Sequence, residues 1–240
     1  MKMLRQSQWL NEKLQFTIAD DFDHYVTADT WTTTASDSGT VAASDAVGGV
    51  VVLSPSDGSV ANNDEVDLAT TQEIFKVGTD CQIYAEARLK VDQTTDDANI
   101  FFGLANAIAA DTLVDDGGGM RTTGDIFAIY KVDSNTMWRC VSSVNGTQTI
   151  SNSTTSITDN TYYTLRIEVR DADGTNVEAT YFVDDQPLRD SNNKAIKHTV
   201  AMASATEMDL GCGIKLGADT NHDKLYVDYM FATQTPRPSA

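Results

Sequence analysis

The chain has 240 residues, 41% hydrophobic and 22% charged, which is the composition of one large globular domain or two small ones. Its 35 acidic residues against 17 basic ones leave a formal charge of −18, which argues against nucleic acid or an anionic membrane surface as a partner. No window approaches the roughly 18 consecutive apolar residues of a membrane-spanning helix.

The opening stretch Met1–Trp9 has early positive charge but no apolar centre, so no secretion signal is expected and synthesis in a cytoplasm follows. Residues 1–15 set Lys2, Arg5 and Lys13 against Glu12, a local charge of +2 that leaves −20 on the remainder. Met3, Leu4, Trp9, Leu10 and Leu14 form no clean helical stripe. This arm either packs on its own domain or docks on a partner subunit through Lys2, Arg5, Trp9, Leu10 and Lys13, and both readings stand.

From Phe16 onward Thr, Val, Ile, Tyr and Phe dominate the periodic stretches, and Gly, Asn, Asp and Ser punctuate them. Strands are expected at 47–53 and 72–77. Cys81–Val91 alternates with Cys81, Ile83, Ala85, Ala87, Leu89 and Val91 on one face, a half-buried strand. A strand at 98–103 follows, then a short Ala-rich helix over Leu104–Leu113, led by Gly103. The next strand is expected at 125–132. Trp138–Val144 then meets Thr147–Ile150 across Asn145-Gly146, the pair suited to a type I′ turn. The Ser/Thr-rich stretch 150–161 reads as a strand edge and turn. Tyr163–Arg170, with Leu165, Ile167 and Val169 inward, meets Val177–Val183 across Asp171–Gly174. Further strands are expected at 196–203, 208–216 and 224–233, before a tail, 234–240, that holds Pro236 and Pro238. No repeat or linker splits the chain, so residues 16–233 are expected to form a single antiparallel β-sandwich. Cys81, Cys140 and Cys212, odd in number and widely spaced, read as buried free thiols.

Four stretches carry a resemblance to concanavalin A-like jelly rolls, and especially to laminin G-like domains. Asp20-Asp-Phe22 with Trp31 resembles their opening strand, and Ile83–Val91 followed by Ile100-Phe-Phe-Gly-Leu104 resembles their central pair. Tyr163–Val169 followed by Ala179–Asp185 is similar to a hairpin ending in a Val-Asp-Gly turn, with Asp185 in the glycine's place. Lys224–Phe231 looks like the closing strand. Jelly rolls of this kind recur in virion proteins of tailed bacteriophages, including head decoration proteins and fibres. The resemblance therefore implies a non-enzymatic virion protein on the capsid exterior, with the major capsid protein or other virion subunits as partners. A homo-oligomer is expected, a trimer being common among decoration proteins, although no residue specifies three. The alternative is a carbohydrate-binding, lectin-like module of a tail fibre or host-recognition protein.

Hydrolases also use this fold, and the best-known family carries Glu-x-Asp-x-x-Glu on a strand. Here Glu65-Val-Asp67-Leu-Ala-Thr70 has Thr in place of the second acid, and Glu207-Met-Asp209-Leu-Gly-Cys212 has Cys there. Incomplete matches arise readily among 35 acids, no Gly-x-Ser-x-Gly elbow occurs, and His24, His198 and His222 are scattered, so no catalytic residue is assigned. No organic cofactor is expected. Hard cations want oxygen ligands from a flexible loop. Asp219, Asn221 and Asp223 are the first choice for calcium, ahead of Asp171–Asn176 and Asp115–Gly119, although the same residues are ordinary turn formers. Asp115–Gly119 lacks the Lys-Ser/Thr of a phosphate loop and reads as a mobile loop. Sugar stacking would fall to Trp31 or Trp138, for each of which a core position is the competing reading.

Overall fold

The computed structural model describes residues 15–26, 28–36, 38–44, 48–92, 97–217 and 221–236. The strands are, in order, β1 (Phe16–Asp20), β2 (Trp31–Ala35), β3 (Thr40–Ala43), β4 (Val51–Ser54), β5 (Glu65–Thr70), β6 (Gln82–Asp92), β7 (Asn99–Ala105), β8 (Leu113–Val114) and β9 (Gly119–Met120). They continue with β10 (Ile126–Lys131), β11 (Met137–Val144), β12 (Thr147–Ser156), β13 (Tyr162–Asp171), β14 (Asn176–Val183), β15 (Gln186–Pro187), β16 (Lys197–Ala201), β17 (Asp209–Lys215) and β18 (Lys224–Thr235). Sixteen of them form two antiparallel sheets face to face, and β8 and β9 pair separately as a two-stranded sheet. A nine-stranded sheet runs β15-β14-β13-β6-β18-β4-β3, with β1 on β18 and β16 on β14, and a seven-stranded sheet runs β12-β11-β10-β7-β17-β5-β2. The fold is the all-β sandwich that the alternation predicts.

Between the sheets the inward sets of β6 and β13 meet Ile100, Phe102 and Leu104 of β7, Phe127 and Ile129 of β10, and Leu210, Cys212 and Ile214 of β17. Phe22, Trp31, Phe75, Trp138 and Tyr181 supply buried ring area, and all three cysteines are buried and free. At one lateral edge a polar group ties the sheets together. His198 on β16 sets Nδ1 3.3 Å from the Tyr181 hydroxyl and 3.2 Å from Ser142 Oγ, and Nε2 3.0 Å from Ser151 Oγ on β12. Burial pushes the His198 imidazole down to about 4, so it is neutral at physiological pH.

The turns behave as their residues require. Asn145 and Gly146 both take positive φ (51° and 77°), the type I′ geometry whose twist matches the flanking strands. Asp184 and Asp185 (φ 49° and 62°) close the β14–β15 hairpin, since Asp tolerates this region better than most residues.

Three expectations need correction. No helix occurs among the described residues: Leu104 and Ala105 finish β7, paired with Phe127 and Ile126, and turns follow. Strand pairing overrides the helical preference of an Ala-rich run, which is worth only tenths of a kcal/mol per residue. The 72–77 strand reduces to one bridge, Phe75 to Met208. The closing strand runs on to Thr235, because buried Gln234 bonds both ways with the Lys76 backbone (3.0 and 2.6 Å). The arm residues Lys2, Arg5, Trp9, Leu10 and Lys13 lie outside the described residues.

Candidate functional site

Side chains alternate along a strand, so every strand of the seven-stranded sheet sends a second set away from the core. Register assembles these sets into rows. Glu65 on β5 stands opposite Lys215 on β17, which stands opposite Asn99 on β7. In the next row Asp67, Gly213, Phe101, Tyr130 and Arg139 follow one another across five strands. The third row is almost all small: Ala69, Gly211, Gly103, Ala128, then Val141.

Most of that outer face is closed to solvent. The segment 106–124, including the β8–β9 hairpin, folds over it and lays Ile108, Leu113 and Met120 on Ala69, Phe101, Ala105, Ile126, Ala128, Tyr130 and Val141 as a second apolar cluster. The row of small residues accommodates the plug: a Cβ on Gly211 would press on the Ile108 side chain and the Leu68 carbonyl. Asp115–Gly119, expected as a mobile loop, forms the tip of this plug, with Gly118 N–H donating to the Asp115 carbonyl at 3.0 Å.

Beside the apolar contact sits a group of charges. Lys215 Nζ, 1% exposed as a residue, lies 3.1 Å from Glu65 Oε2, 2.8 Å from Asp111 Oδ1 and 2.5 Å from Asp115 Oδ1, and donates to the Leu113 carbonyl at 3.0 Å. Glu65 accepts the Asp111 backbone N–H as well (3.1 and 3.2 Å). Strand and plug are thus joined through one ammonium. Burial alone would depress Lys215, but its bonds to Asp111, Asp115 and Glu65 outweigh that and hold it above its ordinary value. Burial raises Glu65 despite Lys215.

Asp67 is more isolated. It is 3% exposed, one carboxyl oxygen has no hydrogen-bond partner, and burial, with Glu65 nearby, raises it well above the usual carboxylate range. A Cβ on Gly213 would fall on the other oxygen, so only glycine leaves room for this carboxyl. Burial likewise pushes Asp209 up to about 6, against a hydrogen bond from Thr70 (3.1 Å).

The acids of the Glu65–Thr70 motif therefore share a face at the i, i+2 spacing a carboxylate pair needs. One is neutralised by a lysine, both are covered, and Thr70 serves Asp209. The other motif is dispersed, with Glu207 exposed and paired to Lys76 (2.8 Å), Asp209 on the outer face and Cys212 in the core.

The remaining candidates fare differently. Trp31 (1% exposed) and Trp138 (0%) are core residues, which overturns their sugar-stacking role, because neither ring offers a face to a ligand. Trp31 packs on Phe22 and donates to Asp20 (2.6 Å), and Trp138 packs edge-on against Tyr163. Asp171 spends its oxygens on the backbone N–H groups of Asp80, Asp173 and Gly174 (2.7, 3.0 and 2.6 Å), and Asp173 accepts from the Asn176 side-chain amide (2.8 Å) and the Thr175 hydroxyl (2.7 Å) as well as from the backbone N–H groups of Asn176 and Thr175 (2.7 and 2.9 Å). These bonds hold both carboxyls below their usual range, which is turn formation rather than a vacant cation site. Asp219 lies outside the described residues, while Asp223 is buried. Among the described residues no group of three or more His, Cys, Asp or Glu is placed to hold a metal ion.

Aromatic rings do reach the surface on the outer face of the nine-stranded sheet, among them Tyr226 and Tyr229, which the sequence also offers for sugar stacking. Arg88 lies over Tyr162 and Lys90 over Tyr226, each 4.2 Å from the ring centre, and the Tyr229 hydroxyl donates to Glu86 (2.7 Å).

No family model matches the chain, and no curated protein matches it. Solved structures do. An endo-1,3-beta-glucanase from Streptomyces sioyaensis aligns with a TM-score of 0.62 at 14% identity, over 94% of this chain and 98% of its own. Peanut lectin aligns at 0.59 and 10% identity over 94% and 99%. The Emp47p carbohydrate recognition domain aligns at 0.58 and 12% identity over 93% and 96%. At these identities the likeness is one of fold: a lectin-like, concanavalin A-type jelly roll spanning nearly the whole chain.

Proposed function

We propose that this protein is a non-enzymatic module that works by surface contact, and that it serves as a capsid-decorating subunit of a bacteriophage virion. The observation that carries the first part is the plugged outer face of the seven-stranded sheet. A glycosidase needs its two carboxylates free to reach a sugar. Here Glu65 and Asp67 lie beneath segment 106–124, and Lys215 neutralises Glu65. What remains is a sandwich in a chain of net charge −18, and many weak contacts repeated over a lattice suffice for such a subunit. The virion setting is supported by the jelly-roll resemblance and the basic arm of residues 1–15. Copy number in purified virions of the source phage, measured by quantitative mass spectrometry, tests it. Hundreds of copies fit decoration, a handful fits a fibre, and none defeats the virion reading. Turnover of a β-glucan that Glu65→Gln abolishes would defeat the non-enzymatic one.

A carbohydrate-binding role is the second reading. It is favoured by the likeness to peanut lectin and the Emp47p domain, and by the Tyr162, Tyr226, Tyr229 and Glu86 surface. Saturable glycan-array binding lost in Tyr226→Ala would establish it.

A further inference from the structure

The seven-stranded sheet ends on β12, whose ten residues, Thr147-Gln-Thr-Ile-Ser-Asn-Ser-Thr-Thr-Ser156, contain no charge and no proline. In a chain of net charge −18 this is an unusual edge, since natural edge strands commonly carry charges or prolines that stop other strands from adding. The Asn145-Gly146 turn makes Val144 and Thr147 the first hydrogen-bonded pair of the hairpin, and such pairs recur at every second residue: Ser142 with Thr149, Cys140 with Ser151. The backbone N–H and C=O groups of Gln148, Ile150 and Asn152 therefore point away from the sheet. Beyond them the register shifts, and the Thr154 N–H is already taken by the Arg189 carbonyl (2.9 Å). Among the described residues, the run left without an outward strand partner is Gln148–Asn152. At its centre stands Ile150, 50% exposed, one of four exposed large hydrophobic residues among those described.

We propose that this run pairs antiparallel with the same run of a second copy of the chain, about a two-fold axis through Ile150. The segment is self-complementary around that point. Ile150 would face the partner's Ile150 and bury two exposed side chains against each other, and Gln148, whose side-chain amide already donates to the Arg121 carbonyl, would face the partner's Asn152. Each facing pair forms two backbone hydrogen bonds. Self-complementarity selects a second copy as the occupant, and the uncharged edge lets two acidic bodies meet with no carboxylate of one run opposing one of the other. The two seven-stranded sheets would become one continuous sheet. This pairing depends on neither functional reading above.

Sedimentation equilibrium of the full chain, from micromolar to millimolar concentration, tests it. The expected result is a mass moving from one chain to two, with association strengthened by added salt as the like net charges are screened. Ile150→Pro removes an outward N–H without touching the β11 ladder, and Ile150→Lys sets two ammonium groups face to face. Each should weaken association by at least about tenfold with an unchanged β spectrum, and if the proline variant does not fold, the lysine variant decides. Protection of the Gln148, Ile150 and Asn152 amides from hydrogen exchange should rise with concentration. A single-chain mass throughout, a mass that grows beyond two chains, or a dimer that survives the folded variants would overturn the proposal.

Discussion

Replacing Lys215 with methionine removes the ammonium that joins β5 to segment 106–124 while keeping most of the side-chain volume. Asp111 and Asp115 are exposed enough for water to take over their charge, with side chains 74% and 54% accessible, so their loss counts for less than about 1 kcal/mol each. Glu65 is different: at 6% side-chain exposure it would be left buried and unpaired. Breaking a buried pair from one side costs about 3–5 kcal/mol. At about 2–4 °C per kcal/mol for a domain of this size, the melting temperature should fall by about 10 °C. The loss should shrink on acidification, because a buried acid whose native pKa lies above its unfolded value gains stability as the pH falls through that raised value. Adding Glu65→Gln to Lys215→Met should recover most of the loss, since it removes the stranded charge. Calorimetry on the native chain, the single variant and the double variant measures this. A single-variant drop under about 2 °C, or a double variant no better than the single, would show that the ammonium does not hold the plug.

Gly213→Ala should cost about 1–3 kcal/mol in urea melts because its methyl would strike the Asp67 carboxyl and the Phe101 ring, whereas Gly78→Ala, with open space around it, should be neutral or slightly stabilising. His198 carries stability that is fully present above pH 6.5 and lost as the pH falls towards 4, up to about 3 kcal/mol, so the stability gap between native protein and His198→Gln should narrow over that range. Asp209, raised to about 6, acts in the opposite sense, gaining up to about 3 kcal/mol as the pH falls from 6 towards 4. Asp209→Asn should therefore fall progressively behind the native protein on acidification, and parallel stability curves would refute either assignment. Trp138→Ala should cost about 3–5 kcal/mol, as for any buried ring, and leave any glycan binding by the folded fraction unchanged.

The strands most legible in the sequence are β6 and β13, because one face of each is buried and the other wet, which writes itself as strict alternation. β7, β10 and β17 are buried on both faces. Their runs locate the strands but give no hint of what covers the outer side. The plug was invisible for that reason, and its Ala-rich start read as a helix because local propensity knows nothing of strand pairing. Half of the charged site could be found: Glu65 and Asp67 stand two apart and match a spacing. Lys215, which determines what those acids can do, comes from the far end of the chain and meets them only through the β5–β17 register. Trp31 and Trp138 show the converse limit, since an aromatic residue in a strand carries no mark of the face it takes until its neighbours are placed.

A side-chain ammonium is a counter-ion that cannot be diluted, chelated or exchanged. A loop held by a dissolved cation closes only while that ion is above its dissociation constant, and it responds to the medium. Segment 106–124 is closed by Lys215, present at fixed stoichiometry in every copy and held above its ordinary pKa. The plug should therefore stay shut in a strong chelator or in ion-poor water. The same body would keep one shape in a cell, in dilute natural water and on a crowded surface.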